Sequence, residues 1–264
     1  TGVITAASCL SIAGIFAPDG AKPRADDLAR MSQTLTARAP GADERWMGES
    51  CALLHRANEV RPSISDSGQP LADSSGRYRI ICSGRIFNSR ELVHDLRTQG
   101  AIEGASPSVL SVLLHAYIAW GMDAFRRCNR AFACAIHDSR TDTLVLVRDQ
   151  IGVHPLYYRA GGSSIIFASE VNAILAHSDV PRLPDETGIA NYLSGNRYLL
   201  LDEHTFYRGI SRLLPGHALV ASRPGRWPEQ GRSAGPHAPR RCLLALHGGR
   251  RDMTQVLGRR ADGQ

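Results

Sequence analysis

Apolar and polar positions follow two periods along this chain, one typical of helices and one typical of strands. Helical spacing is clearest where Leu28, Met31 and Leu35 line one side of a segment. Three helices are predicted in this way, at 25–36, 89–99 and 107–121. Short runs of aliphatic and aromatic residues predict strands instead, at 11–16, 78–82, 85–87, 132–137 and 144–148.

Four of these strands are predicted to pair as two hairpins. The first would turn at Ser83 and Gly84, because serine and glycine are common in tight turns. The second would turn through the polar segment 138–142, and we expect His137 and Asp138 beside it to face the solvent.

The last part of the chain differs in composition from the rest. It contains many Gly, Pro and Arg residues, and its only apolar run is 242–247. Such a segment cannot bury enough apolar surface to offset the entropy cost of ordering it. We therefore predict a folded domain over 1–220 and a largely disordered tail over 221–264.

Charge, cysteine content and hydropathy narrow the range of partners and compartments. The net charge is +6, but the excess lies in the arginine-rich tail, and no basic helix or basic-aromatic face occurs in the folded part. Specific nucleic-acid binding is therefore not expected. Six cysteines without a CxxC pair or a metal-ligand spacing favour buried free thiols in a reducing cytoplasm. No apolar run approaches a membrane span in length, so no membrane association is expected.

Several longer segments, taken in order, carry a family resemblance. They are SIAGIFAPDG at 11–20, GRYRIICSGRIFNSRELVHDL at 76–96, AFACAIHD at 131–138, RDQIGVHPLYY at 148–158, FASEVNAIL at 167–175 and TFYRGISRLLPGHAL at 205–219. Together they resemble the class II glutamine amidotransferase domain of asparagine synthetase. The resemblance implies an α+β fold, the four-layer αββα sandwich of Ntn hydrolases. It also implies that Arg148, Asp149 and Glu170 have structural roles around the loop that follows Arg148.

The residue that carries out the chemistry in that family is missing here. The family releases ammonia from glutamine with an N-terminal cysteine, whose own amine serves as the base. The matching position in this sequence is Leu10, which has no nucleophile. Cys9 is one residue away, which on a strand turns the side chain to the opposite face. Cys9 would also need cleavage after Ser8 to expose its amine, and we interpret it as an ordinary small apolar residue.

The residues with which the family holds glutamine are replaced as well. The family uses an arginine for the substrate carboxylate, an Asn-Gly-Glu segment for the oxyanion and the amine, and an aspartate as a further contact. At these positions the sequence has Ala57, Ser83, Gly84, Arg85 and Val109. Arg85 reverses the charge where an ammonium group would bind, and like charges repel. We therefore expect neither a catalytic residue nor a retained substrate contact, although Ser83 could still donate a hydrogen bond.

In the family a second domain follows, an ATP pyrophosphatase with a Ser-Gly-Gly-x-Asp-Ser loop. Gly248 and Gly249 match that loop poorly, and we expect no such domain in this chain. ATP and Mg²⁺ would then belong to a synthetase domain or subunit supplied in trans, and no cofactor or metal ion is expected here. The sequence neither predicts nor excludes that the chain forms a homodimer.

The resemblance therefore favours one functional hypothesis and leaves two others open. Relatives such as β-lactam synthetase and lasso-peptide cyclase keep a glutaminase-like domain without its cysteine, while their ATP domain activates a carboxylate for an amine of the substrate. The leading hypothesis is a degenerate glutaminase-like domain of such an amide-forming enzyme, acting as a scaffold or docking module. The alternative is an active glutaminase with processed Cys9, supplying ammonia for asparagine synthesis. A third hypothesis is that the chain is a pseudogene-like product with no independent role.

Overall fold

The fold is built from two antiparallel sheets and the helices that cover them. The computed structural model describes residues 10–18, 21–57, 68–102, 107–161, 164–194, 203–222 and 240–245. Its strands are β1 (Ser11–Phe16), β2 (Asp43–Met47), β3 (Cys51–Arg56), β4 (Leu71–Ala72), β5 (Tyr78–Ile86), β6 (Arg130–Asp138), β7 (Thr143–Arg148), β8 (Tyr157–Gly161), β9 (Ser164–Ala168), β10 (Ile210–Arg212), β11 (His217–Ser222) and β12 (Arg240–Ala245). Its helices are α1 (Ala25–Thr34), α2 (Ser89–Thr98), α3 (Val109–Trp120), α4 (Asp123–Arg127), α5 (Val171–Leu175) and α6 (Glu186–Leu193).

The strands form two six-stranded sheets, in the orders β10-β8-β9-β1-β3-β2 and β12-β11-β7-β6-β5-β4. One apolar core lies between the sheets, a second lies between the first sheet and helices α1 and α5, and a third lies under α2, α3 and α4. The expected four-layer αββα sandwich is confirmed. None of the described helices is long and apolar enough to cross a membrane.

Strand β1 occupies the middle of the first sheet and is buried on both faces. Its alternate residues Ile12 and Phe16 enter the core between the sheets, whereas Ala13 and Ile15 enter the core under α1 and α5. Gly14 lies between Ile12 and Phe16 on the face toward the other sheet, and a Cβ at Gly14 would lie 2.4 Å from the Phe167 ring. Because both faces are covered, the strand appears in the sequence as a continuous apolar run.

Three helices predicted from periodicity are present with shifts of one or two residues at their ends. Leu28, Met31 and Leu35, which define the period of α1, are all fully buried. In α2, Leu92 and Leu96 are the buried residues. Helix α3 ends before Gly121, as predicted, and that glycine has a positive φ.

The predicted hairpin at Ser83 and Gly84 is wrong. Strand β5 runs through both residues and pairs with β6 along its whole length, with Gly84 opposite Phe132. Gly84 has a φ of 131°, and a Cβ there would lie 2.2 Å from the carbonyl oxygen of Ala131. This glycine therefore permits close approach of two strands rather than a turn.

The prediction that His137 and Asp138 face the solvent is also wrong, because both are buried. The imidazole of His137 packs near the rings of Phe16 and Trp46, each at 5.8 Å between ring centroids. Asp138 accepts two hydrogen bonds from the Arg77 guanidinium, at 2.8 and 2.7 Å. The hairpin through 138–142 is itself confirmed, since β6 pairs with β7.

The strand prediction covers only β1, β5, β6 and β7, and two of the strands outside it, β2 and β12, lie in segments assigned to other structure. Strand β2 lies in the polar stretch before Cys51 and was not predicted, because it is an edge strand with a mixed pattern of exposure. Strand β12 lies inside the segment assigned to a disordered tail, and it pairs with β11 along its whole length. The predicted boundary at residue 220 falls within β11, so the folded part extends beyond it.

Candidate active site

Leu10 lies directly before β1, and its side chain is fully buried. Its carbonyl oxygen accepts a hydrogen bond from the Ser83 hydroxyl at 2.7 Å. A leucine side chain offers neither a nucleophile nor a base. Cys9, considered as a substitute, lies outside the described residues.

Ser83 forms a second contact that the sequence did not reveal. Its Oγ lies 3.0 Å from Nδ1 of His154, and both residues are buried. Because the hydroxyl hydrogen is donated to the Leu10 carbonyl, Oγ acts as the acceptor of an Nδ1–H of His154. A serine bonded in this way is not activated as a nucleophile, since no base receives its hydrogen.

Burial lowers the pKa of His154 below its usual value. The nearby cations Arg38 and Arg148 lower it further, while the carboxylate of Asp149 opposes them. The imidazole is therefore neutral at neutral pH. Ser83 and His154 are 71 residues apart, and no local pattern in the sequence indicates that they meet.

The loop after β7 is fixed by the Arg148 side chain. Its guanidinium donates to three carbonyl oxygens, those of His154 at 2.9 Å, Leu213 at 2.7 Å and Gly152 at 2.7 Å. Arg148 is itself buried. One side chain thus holds both ends of the loop and the segment before β11, and it places His154 beside Ser83.

Asp149 fixes the same loop from the other side. Its Oδ1 accepts hydrogen bonds from the backbone N–H groups of Ile151 at 2.9 Å and Gly152 at 2.7 Å. Each member of the expected Arg148 and Asp149 pair therefore binds the loop backbone rather than its neighbour. Glu170 instead faces the end of α1, where its carboxylate lies 3.6 Å from the Arg38 guanidinium.

Ala57, at the position of the family's carboxylate-binding arginine, continues the ladder between β2 and β3. Its N–H donates to the Ala42 carbonyl at 3.2 Å, and its own carbonyl accepts from the Gly41 N–H at 3.0 Å. The preceding Arg56 is directed elsewhere, because its guanidinium donates to the carbonyl oxygens of Ala39 at 2.9 Å and Gly41 at 2.8 Å. Ala57 has no guanidinium, and the guanidinium of Arg56 is already bound to backbone carbonyls.

The last two replaced positions are separate from the contact between Leu10 and Ser83. Arg85 is exposed near the end of β5, opposite Ala131. Among the described residues, no hydrogen bond or ion pair involves its guanidinium. Val109 begins α3 after the N-cap Ser108 and packs against the core under the helices. The structure thus joins two of the expected site positions and leaves these two without a polar role.

Side chains of the types that bind metal ions are dispersed in the part of the chain that the structure describes. Its histidine, cysteine, aspartate and glutamate side chains form no group of three that could hold a metal ion. The four cysteines with described side chains, Cys51, Cys82, Cys128 and Cys134, are buried and free, as predicted. Burial raises the pKa of the Cys128 thiol to about 11, which leaves it unreactive at neutral pH.

Comparison with known proteins identifies the family. A family model described as a glutamine amidotransferase domain matches residues 9–230. The chain belongs to this family. The match covers both sheets as far as β11 and includes the residues of the contact between Leu10 and Ser83.

The curated relatives of this amidotransferase domain include asparagine synthetases. Asparagine synthetase [glutamine-hydrolyzing] 3 of Bacillus subtilis is 34% identical over 200 residues, which are 75% of this chain and 32% of that protein. A putative asparagine synthetase [glutamine-hydrolyzing] of Mycobacterium tuberculosis is 29% identical over 216 residues, 77% of this chain and 32% of the relative. The chain thus spans about a third of the length of these relatives.

Solved structures support the same fold. The glutamine phosphoribosylpyrophosphate amidotransferase of Bacillus subtilis superposes with a TM-score of 0.54 at 17% identity, over 80% of this chain and 47% of that one. A structure described as the allosteric regulatory enzyme of purine biosynthesis gives 0.56 at 16% identity, over the same shares. At these identities the likeness concerns the fold alone.

Proposed function

We propose that this amidotransferase domain has lost glutaminase activity and serves as a scaffold or docking module of an ATP-dependent amide-forming enzyme. Such an enzyme would resemble β-lactam synthetase or lasso-peptide cyclase, whose substrate carries its own amine. No ammonia is then needed, and a glutaminase site can be lost without loss of the overall reaction.

The observation that carries this proposal is the buried leucine at the nucleophile position. Leu10 has no group that could attack an amide, and its carbonyl is bound by Ser83. The Ser83 hydroxyl that makes this bond has its hydrogen engaged, and Ser83 is only 1% exposed. Removing a single oxyanion donor from a working site costs about a hundredfold to a thousandfold in turnover. Loss of the nucleophile itself leaves no covalent route.

The residues around the site support the proposal independently. Ala57 cannot pair with a carboxylate, and the guanidinium of Arg56 is already bound to backbone carbonyls. Arg85 is a cation where the family binds an ammonium group, so glutamine would be repelled there. Val109 adds an apolar side chain in place of an aspartate.

A second candidate is a working glutaminase with Cys9 as its processed N-terminal nucleophile. The observation in its favour is that the relatives are named as glutamine-hydrolysing enzymes. It requires cleavage after Ser8, and a substrate-binding set different from the family's. This candidate therefore predicts both a shortened chain and glutamate production.

One assay separates the two candidates. The purified chain is incubated with glutamine, glutamate release is followed, and the N-terminus is defined by intact mass. A sample that circular dichroism shows to be folded is expected to release no glutamate above background. The amidotransferase domain of the Bacillus subtilis relative serves as the positive control under the same conditions.

Turnover that disappears in Cys9→Ala would overturn the proposal and establish the chain as an ammonia-producing enzyme. Turnover that persists in Cys9→Ala but disappears in Ser83→Ala would also overturn it, because Ser83 would then be the nucleophile. A Leu10→Ile variant is the matched control, since it changes the site without removing a polar group.

A further inference from the structure

Arg130 is buried without the hydrogen bonds that the other buried arginines make. Three of the described arginines are buried, namely Arg56, Arg130 and Arg148. The guanidinium groups of Arg56 and Arg148 each donate hydrogen bonds from all three nitrogens. Arg130 donates only from Nη1, to the Cys128 carbonyl oxygen at 3.2 Å. Its Nε and Nη2 have no acceptor among the described residues. A buried cation that is so incompletely paired is costly to the fold.

The contacts of Arg130 occupy all but one edge of its guanidinium. One face of the group lies over the Phe132 ring, with Cζ 5.4 Å from the ring centroid. Nη1 is bound to the Cys128 carbonyl. The remaining nitrogens, Nε and Nη2, form one edge of the rigid planar guanidinium, and their hydrogens are directed the same way. An acceptor that satisfies both therefore needs two oxygens side by side.

Another arginine of this chain shows what such an edge binds. Arg77 donates from its Nε and Nη2 to the two carboxylate oxygens of Asp138, at 2.8 and 2.7 Å. This is the bidentate pairing that suits a guanidinium and a carboxylate. Arg130 offers the same two nitrogens, and no described carboxylate forms an ion pair with it. The matching atoms favour a carboxylate as the ligand of Arg130.

The charges around Arg130 favour a ligand with a single negative charge. Burial lowers the pKa of Arg130, and the nearby carboxylate of Asp149 opposes this effect. An arginine nevertheless remains charged at neutral pH. Because Asp149 is itself negative, a second negative charge on the ligand would have no cation to balance it. A monocarboxylate therefore matches this charge balance better than a phosphate dianion.

The alternation of β6 places Arg130 on the helical face of the second sheet. Phe132 and Cys134 belong to the core under α2, α3 and α4, and Arg130 is two residues before Phe132 on the same face. Ser83 instead reaches the Leu10 carbonyl, which belongs to the chain entering the first sheet. We propose that Arg130 binds a small monocarboxylate on this helical face, apart from the position of the family's nucleophile. This inference does not depend on whether glutamine is hydrolysed.

The test uses the full chain and acetate as the probe. Sodium acetate replaces sodium chloride at constant ionic strength, and NMR follows the Nε–H signal of Arg130 and the backbone N–H signals of Cys128 and Phe132. The Nε–H signal is identified by its loss in Arg130→Met. Acetate is expected to shift these signals to saturation in the unchanged chain. In Arg130→Met the affinity should fall at least about tenfold, because two charge-assisted hydrogen bonds are lost.

Arg85→Met is the matched control for a nonspecific effect of positive charge. Arg85 lies opposite Ala131, in the residue pair next to that of Ile86 and Arg130, but its side chain is exposed. This variant should bind acetate like the unchanged chain. Acetamide, which has the shape of acetate without its charge, should not shift the signals. Inorganic phosphate should bind at least about tenfold more weakly than acetate.

A second measurement separates ligand binding from a purely structural role of Arg130. After dialysis into chloride buffer, Arg130→Met lacks the incompletely paired cation and keeps a long apolar side chain. Its Tm should therefore equal or exceed that of the unchanged chain. Replacing chloride by acetate should raise the Tm of the unchanged chain and of Arg85→Met, because a ligand that binds the folded state stabilises it. The Tm of Arg130→Met should not rise.

Three results would contradict the inference. If acetate shifts no signal, or shifts the backbone signals equally in Arg130→Met, no carboxylate binds at Arg130. If phosphate binds as tightly as acetate, the site accepts anions in general and is not built for a monocarboxylate. If Arg130→Met has a lower Tm than the unchanged chain in chloride, the guanidinium is already satisfied within the fold and its role is structural.

Discussion

Two sets of residues in the domain differ in how much the fold depends on them, the residues that shape the loop and strand near Leu10 and the residues at the family's chemical positions. The frame residues Arg148, Asp149 and Gly84 shape the loop and the strand around the site, and each makes contacts that few other side chains could provide. The residues at the positions where the family carries its catalytic and substrate-binding groups make no such specific contacts. Arg85 is exposed, and Val109 contributes only apolar packing.

This difference indicates that the frame and the chemistry of the domain depend on different residues. Arg148 satisfies buried carbonyls, so its loss would destabilise the folded state whether or not glutamine is hydrolysed. A nucleophile and its substrate clamps contribute little to stability, and active sites often reduce it. A chain that no longer needs ammonia can therefore lose the second set and keep the first.

The largest expected effect is that of replacing the central frame residue. Arg148→Met leaves three carbonyl oxygens without their donor, and a buried unsatisfied group costs about 1–3 kcal/mol. We expect the free energy of unfolding to fall by roughly 3 kcal/mol or more. The measurement is urea unfolding followed by circular dichroism.

The matched control is Arg85→Met, which removes the same charge from an exposed position at a family chemical site. Its effect on stability should stay within about 0.5 kcal/mol. Equal losses in the two variants would mean that Arg85 also belongs to the frame, and the comparison between the two sets would fail.

A smaller effect is expected at Gly84, where the frame requires close approach of two strands. In Gly84→Ala the new Cβ would lie 2.2 Å from the Ala131 carbonyl oxygen, at a φ of 131°. Overpacking of this kind costs about 1–3 kcal/mol. Gly100→Ala is the control, because Gly100 also has a positive φ but has nothing within 4 Å of the added Cβ. Similar losses in both variants would show that backbone strain, and not the strand contact, makes glycine necessary at Gly84.

Local patterns in the sequence predict the parts of this fold that depend on neighbours in the chain. The periods of α1 and α2 and the apolar run of β1 are local, and each element was predicted within about two residues. Gly84 was misread because a glycine beside a serine is typical of a turn. Only the partner strand, with the Ala131 carbonyl against that glycine, reveals why it is needed.

Burial in a four-layer sandwich explains the other errors. His137 and Asp138 flank a polar turn, which locally indicates solvent, but both side chains are covered in the sandwich. For the site, the order of family segments assigns Leu10, Ala57 and Arg85 to the family's chemical positions without any structure, and these assignments stay predictions. The contact between Ser83 and His154 could not be predicted, because it joins residues 71 positions apart in sequence.

The smallest expected effect concerns the pH dependence of stability at this contact. Burial lowers the pKa of His154 in the folded state, so between that pKa and about 6.5 the unfolded chain binds more protons. Stability should therefore decrease as the pH falls below about 6.5, and this contribution should be constant above that value.

His154→Gln cannot titrate but can still donate to Ser83. Urea unfolding between pH 5 and 7.5 should show a shallower decrease in stability for this variant than for the unchanged chain. His177 also has its pKa lowered by burial, at the distant junction of α1 and α5, and it remains in both proteins, so their difference isolates the site. Identical slopes would mean that protonation at His154 is tolerated, and that the frame around Leu10 and Ser83 is looser than its hydrogen bonds indicate.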